Sequence, residues 1–247
     1  HRHSHRRRWT IDLTKLRLFN NKRLMIADAL RISLLVVAFT TAIVGLLGVA
    51  IAVLLAKYEF KGKEILDAIL TLPLVLPPTV LGYYVLVMLG PRSPIGRAFE
   101  TLTGSPIVFS FSGLLVASVL YSLPFAVQPF AAAFAAVDRT LIETAWCLGA
   151  SRLRTFTRIV VPLARPGIIA GLVLTFAHTV GEFGVVLMVG GNLPGVTRTV
   201  SISIYDDVQS FNLSSAHRTS LVLLLFSFAA LALVYGVTRR PFSTAPQ

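Results

Sequence analysis

Glu143-Thr-Ala-Trp-Cys-Leu-Gly149, nine further residues, then Ile159-Val-Val-Pro162: this stretch decides how the chain is read. It is polar and carries arginines, yet it lies between long apolar runs, where connections are usually short and plain. Gly149 divides it into two helical patterns. The first covers 141–148, with Glu143 near its start, where the helix dipole favours negative charge. Gly149 suits the left-handed position that ends such a helix. The second covers 151–161 and opens on Ser151, a good N-cap. Leu153, Phe156, Ile159 and Val160 then recur at helical spacing against Arg152, Arg154 and Arg158. Pro162 is expected to stop this helix before the next apolar run. On the residues alone, two readings stay open: a docking surface for a soluble partner, or a helix lying on anionic lipid.

Outward from this loop, the composition is that of a protein dissolved in a bilayer. Hydrophobic residues make up 55% of the 247 and charged residues only 14%, where a soluble domain carries about 25% charged. Five segments reach the roughly 20 apolar residues that cross a hydrocarbon core of about 30 Å. They are 29–56, 65–89, 113–137, 166–189 and 220–238. Backbone polar groups in lipid must be satisfied internally, so these are helices; the ten-residue alternation of a membrane barrel is absent. The fold class expected is an all-α integral membrane protein of about five spans.

Loop charges orient it. Lys57, Lys61, Lys63, Arg139, Arg152, Arg154, Arg158, Arg165, Arg239 and Arg240 fall on one side, ten in all, against four on the other: Arg92, Arg97, Arg198 and Arg218. The richer side is cytoplasmic, which places the stretch 138–162 and the C-terminus inside and the N-terminus outside. Nine of the 23 basic residues crowd the first 31 positions, on the wrong side for this rule. Residues 1–28 are therefore read as a basic tail, disordered or not native, ahead of a transmembrane domain over 29–240 and a C-terminal tail over 241–247. The opening His-x-His-x-His reads as part of that tail rather than as a metal site. Because the net charge of +12 collects beside apolar runs, it marks membrane orientation and not a nucleic-acid face. The single cysteine, Cys147, has no partner for a disulfide or a metal. It is expected as a small buried apolar side chain.

Within the spans, two places stand out. Pro73, Pro77 and Pro78, followed by Thr79, interrupt the second span. Proline removes a helix hydrogen bond, and in lipid the freed carbonyl needs protein or water against it. Packing kinks and a pathway-lining break are both consistent with that, and three prolines so close favour the break. Gly181-Glu182-Phe183-Gly184 places a carboxylate inside the fourth span; an intramembrane acid is a functional candidate, here a structural brace or a part of a gate. His178 is expected to be a satisfied buried histidine. No Ser/His/Asp, His-Glu-x-x-His or paired-carboxylate set lies in the spans, and no Gly-x4-Gly-Lys-Ser/Thr phosphate loop occurs. An enzyme is not indicated, and neither a cofactor nor ATP is expected on this chain. An ion-coupled transporter using His178 and Glu182 as a relay would call for inverted repeats, and none is convincing.

With its spacing, the opening stretch resembles the cytoplasmic coupling loop of ABC-importer permeases: Glu-Ala-Ala, three residues, Gly, nine residues, Ile-x-Leu-Pro. Glu143, Ala145, Gly149, Ile159 and Pro162 match, while Thr144 replaces an Ala and Val161 a Leu. The resemblance extends from about residue 28 to 240. Leu72-Pro-Leu-Val-Leu-Pro-Pro-Thr79, Gly181-Glu-Phe-Gly184 and Gly191-Asn-Leu-Pro-Gly-Val-Thr-Arg-Thr199 are similar to the molybdate/tungstate permeases, with the sulfate/thiosulfate permeases as near relatives. The resemblance implies that 138–162 is a helix-turn-helix inserting into an ATPase subunit. It also implies a homodimer, two separate ATPases that use the ATP, and an extracytoplasmic oxyanion-binding protein.

Overall fold

In a computed structural model, the backbone is described for residues 13–238 and side chains for 25–232. Residues 1–12 and the 241–247 tail lie outside this range. All the regular structure described is helical: α1 (Leu13–Lys57), α2 (Lys63–Val75), α3 (Pro78–Leu89), α4 (Pro94–Thr103), α5 (Phe111–Ala135), α6 (Arg139–Cys147), α7 (Arg152–Thr155), a π-helical turn (Phe156–Val160), α8 (Val161–Gly181), α9 (Gly184–Gly190), α10 (Val200–Gln209) and α11 (Leu213–Thr238). Helix α1 is described from Leu13, within the stretch 1–28 read as a basic tail, and its apolar span covers Met25–Lys57.

Three long rods, α1, α5 and α8, form the centre. Phe130 of α5 is fully buried between them, with Val44, Ala52, Ala126, Phe134 and Ala164 around it. Lipid tails are as apolar as leucine, so these rods associate by close fit rather than by the hydrophobic effect. Gly167 and Gly171, four apart on α8, supply the fit. A Cβ on Gly167 would stand 2.4 Å from Ala133 Cβ, and one on Gly171 would stand 2.6 Å from Phe130 Cε1. Gly171→Leu is expected to lower the unfolding midpoint in detergent, at a cost of about 1–3 kcal/mol for the overpacking. Gly181→Ala is the control, since nothing lies within 4 Å of its added Cβ. Equal midpoints would refute the fit.

Two spans are broken: the second, as its prolines suggested, and the fourth, which reads from sequence as one rod. The 65–89 segment is two helices bent by 118°. Leu76 and Pro77 are extended, at ψ 140° and 136°. Each precedes a proline, which disfavours the helical region for the residue before it. Counted alone, four helices are long and apolar enough to span, or five with the bent pair as one. The 166–189 segment breaks after Gly181, where Glu182 is extended (ψ 132°) and Phe183 has φ −135°.

Pro162 does not stop its helix, contrary to the reading from sequence. The chain is helical without interruption from Arg152 to Gly181. A π turn precedes the proline, with Val161 N–H reaching back to Phe156 O. This wider turn makes room for a ring that an α-helical interior would exclude.

Candidate functional site

Two short helices meet at a turn, with Gly149 and Ser151 in the end positions read from sequence and Asp138 as a further cap. Asp138 caps α6 by accepting from Thr140 N at 2.8 Å, and Ser151 caps α7 by accepting from Arg154 N at 3.3 Å. Between them Gly149 has φ +81°. Ala150 N–H reaches Ala145 O at 2.9 Å, and Gly149 N–H reaches Trp146 O at 2.9 Å. Such a reversal closes a helix end that only glycine enters without strain.

One face of this pair is anchored. Ala145, Thr155 and Val160 are buried, Ile142 packs on the central cluster, and the Phe156 ring lies 6.1 Å from that of Phe134. The other face is bare. Leu148 is 83% exposed and Leu153 73%, with Leu141 and Trp146 beside them. Glu143 forms an exposed ion pair with Arg139 at 3.2 Å. Of the residues singled out from sequence, Glu143, Gly149 and Pro162 are exposed, Ile159 is half-buried and Ala145 points inward. Cys147 is also exposed, so the expectation of a buried cysteine is wrong. Ala145 takes the inward position in this register, and Cys147 lies two residues, about 200°, around the helix from it.

The two span breaks meet. Gly184 sits against Pro78, where an added Cβ would come within 2.7 Å of Pro78 Cβ. Beside them, α3 and α9 pack through Gly82, whose Cβ would be 2.9 Å from Met188 Cβ. Pro73 stays inside α2, Pro77, Pro78 and Thr79 are exposed at the bend, and Gly181 is exposed at the other break. Glu182 is 5% exposed, and neither carboxylate oxygen has a hydrogen-bond partner among the described residues. The hydroxyl of Ser118 lies beside it, likewise without a bond of good geometry.

On the face with fewer basic loops, Arg198 Nε donates to Asn192 Oδ1 at 2.5 Å, and its guanidinium lies 3.6 Å from Asp206. This pins the 191–199 loop to α10, whose Val200 N–H donates to Ser33 Oγ on α1 at 2.9 Å. Neither α10 nor α4 is long and apolar enough to register as a span, although α4 is amphipathic at helical spacing. Their caps were legible: Ser93 ahead of Pro94, with Gly104 closing α4 at φ 73°, and Thr199 ahead of α10.

The site thus comprises two short exposed helices on one face and a pair of helix breaks that meet within the bundle. Residues 45–242 match the family model described as "Binding-protein-dependent transport system inner membrane component". The chain belongs to this family. As a member it is a multi-pass inner-membrane transport component. It is 47% identical over 211 residues to the molybdenum transport system permease protein ModB of Azotobacter vinelandii, spanning 85% of this chain and 93% of that one. It is 36% identical to a putative molybdenum transport system permease protein of Bacillus subtilis, over 81% and 88% of the two chains. A probable sulfate transport system permease protein of Chlorokybus atmophyticus is 34% identical, over 83% and 71%. Among solved structures, a bacterial alginate ABC transporter in complex with its periplasmic protein superposes with a TM-score of 0.73 at 16% identity. That match covers 89% of this chain and 80% of the other, and it supports the permease fold.

Proposed function

We propose that this protein is the membrane-spanning subunit of an ATP-driven importer of molybdate, and possessed of no ATPase activity itself. Two copies form the passage, two ATPase subunits dock on the helix-turn-helix of 138–162, and an extracytoplasmic binding protein delivers the anion. The bare face of that element carries this reading. Leu148 and Leu153 stand exposed at its turn with arginines around them, an apolar knob with a charged rim suited to a transient protein interface. Loop charges put this face in the cytoplasm, where an ATPase resides. Likeness to molybdenum permeases along most of the chain supports the cargo.

Energetics call for the partner. Moving a dianion inward against about 100 mV costs roughly 5 kcal/mol, at about 2.3 per charge, and this sequence has no phosphate-binding loop. Passage of the anion needs only weak contacts, so tight capture belongs to the binding protein.

The test is uptake of labelled molybdate into proteoliposomes holding this chain with its ATPase and binding protein. Uptake is expected only with ATP inside the compartment that bears the ATPase, with tungstate competing and sulfate competing at least tenfold less well. Sulfate competing better than molybdate would move the cargo to the sulfate class. Uptake driven by an ion gradient without ATP would overturn the ATP-driven reading.

A further inference from the structure

His178 lies on α8 against α5, and its surroundings fix how the ring presents itself. It stacks on Phe125 with centroids 3.9 Å apart and meets Tyr121 edge-on at 4.7 Å. Its Nδ1 is 3.1 Å from Ser122 Oγ, which is 3.0 Å from Thr179 Oγ1. Thr179 Oγ1 in turn donates to the carbonyl of Thr175 at 2.8 Å. Each hydroxyl has one proton. Thr179 gives its proton to Thr175, so Ser122 donates to Thr179 and is left only as an acceptor towards the ring. This proton count assigns the hydrogen of the neutral imidazole to Nδ1 and leaves a lone pair on Nε2.

Nε2 has no hydrogen-bond partner among the described residues, and it is not among the buried unpartnered atoms, so it opens outward from a half-buried ring. It lies about 20 Å along the helix from Arg165, at 1.5 Å per residue. A polar ring atom open at that depth belongs against water or protein rather than hydrocarbon. Tyr121, Phe125 and Gln128 follow one face of α5 at helical spacing, each half-buried. Gln128 donates to Asp67 of α2 at 2.9 Å, and both line a cleft of about 820 Å³ that also carries Glu59, Glu64, Lys61 and Lys63, with Lys63 paired to Glu59. The stripe therefore leads from a cleft on the basic side up α5 to His178.

We propose that this stripe is a wall of the anion passage, and that His178 Nε2 is the polar atom met by the hydrated anion beyond the aromatic pair. This rests on the reading of the chain as an oxyanion permease. With its proton held at Nδ1, the neutral ring accepts from water around the anion and does not pair with the anion itself. A fixed cation there would hold a dianion, whereas conduction needs sites weak enough to leave.

Two variants test this in proteoliposomes containing the ATPase and the binding protein. His178→Cys is treated with the anionic, membrane-impermeant sulfonatoethyl methanethiosulfonate, and adduct at position 178 is followed by mass spectrometry of the peptide. The introduced thiol is expected to react at least tenfold faster than one at Leu224, an exposed position on α11, and excess molybdate is expected to slow it. Reaction no faster than at Leu224 overturns the proposal. His178→Phe keeps the stacked ring and removes both nitrogens; uptake per ATP hydrolysed is expected to fall at least tenfold while the ATPase still co-purifies. Uptake at the parental rate overturns the proposal as well. A parent that carries sulfate and not molybdate sinks only the cargo reading, because the reactivity contrast with Leu224 does not depend on it.

Discussion

Gly149→Asp is expected to leave membrane insertion and helix content unchanged while recovery of the ATPase with the purified subunit falls at least tenfold. Local cost is small. Gly149 has φ +81°, and nothing lies within 4 Å of an added Cβ. Aspartate enters the left-handed region more readily than most residues, at about 1–2 kcal/mol. Cost at the interface is large, because the carboxylate would stand at the apex between Leu148 and Leu153, the two most exposed leucines of the element. Docking must strip water from that charge at an apolar apex. Each 1.4 kcal/mol of such a penalty weakens association about tenfold. Gly149→Ala introduces at least as much backbone strain without the charge, so it should retain association within a few-fold. Co-purification of the ATPase at parental yield with the aspartate variant would remove 138–162 from the docking role.

The features legible in the sequence are those whose cause is local. Ser151 and Gly149 announce their caps within four residues of the groups they satisfy, and both stand as read. The proline run 73–78 likewise breaks the second span, at Leu76 and Pro77, where a following proline disfavours the helical region, although Leu72 ahead of Pro73 stays helical. Features set by tertiary contact were hidden. Pro162 looked like a stop, but the π turn before it accommodates the ring while Phe156 packs on Phe134. The break at Glu182 depends on Gly184 meeting Pro78 across about a hundred residues of chain. Cys147 needed the register of α6, which Ala145 sets by facing inward. Besides the caps of α4 and α10, another signal was present and unread: Gly167 and Gly171, spaced four apart in an apolar run, mark the face on which α5 seats. The short helices α4 and α10 were missed because each is ten residues long, too short to span and too polar to register as apolar runs.

Glu182→Met is expected to raise the thermal midpoint of the subunit and to cut anion uptake at least tenfold, with ATP hydrolysis by the assembled complex continuing. In this arrangement the carboxylate is sealed in the bundle, and neither of its oxygens finds a partner among the described residues. Buried acceptors left unpaired cost about 1–3 kcal/mol, and methionine of similar length removes that cost. The midpoint should therefore rise by a few degrees. The same gain is what stops transport. A passage that alternates between two arrangements works when neither is far below the other, and a bias of about 1–3 kcal/mol shifts their ratio by about 5–150-fold. Glu182 lies where this bias acts most directly, at the junction of α8 and α9 beside the contact of Gly184 with Pro78. Partnered in the other arrangement, the carboxylate would drive the breaks apart again after each cycle. Methionine cannot do this, so the protein should rest, stabilised, in the arrangement described here. A fall in midpoint would show that the carboxylate braces this state, and uptake at the parental rate would show that it takes no part in gating.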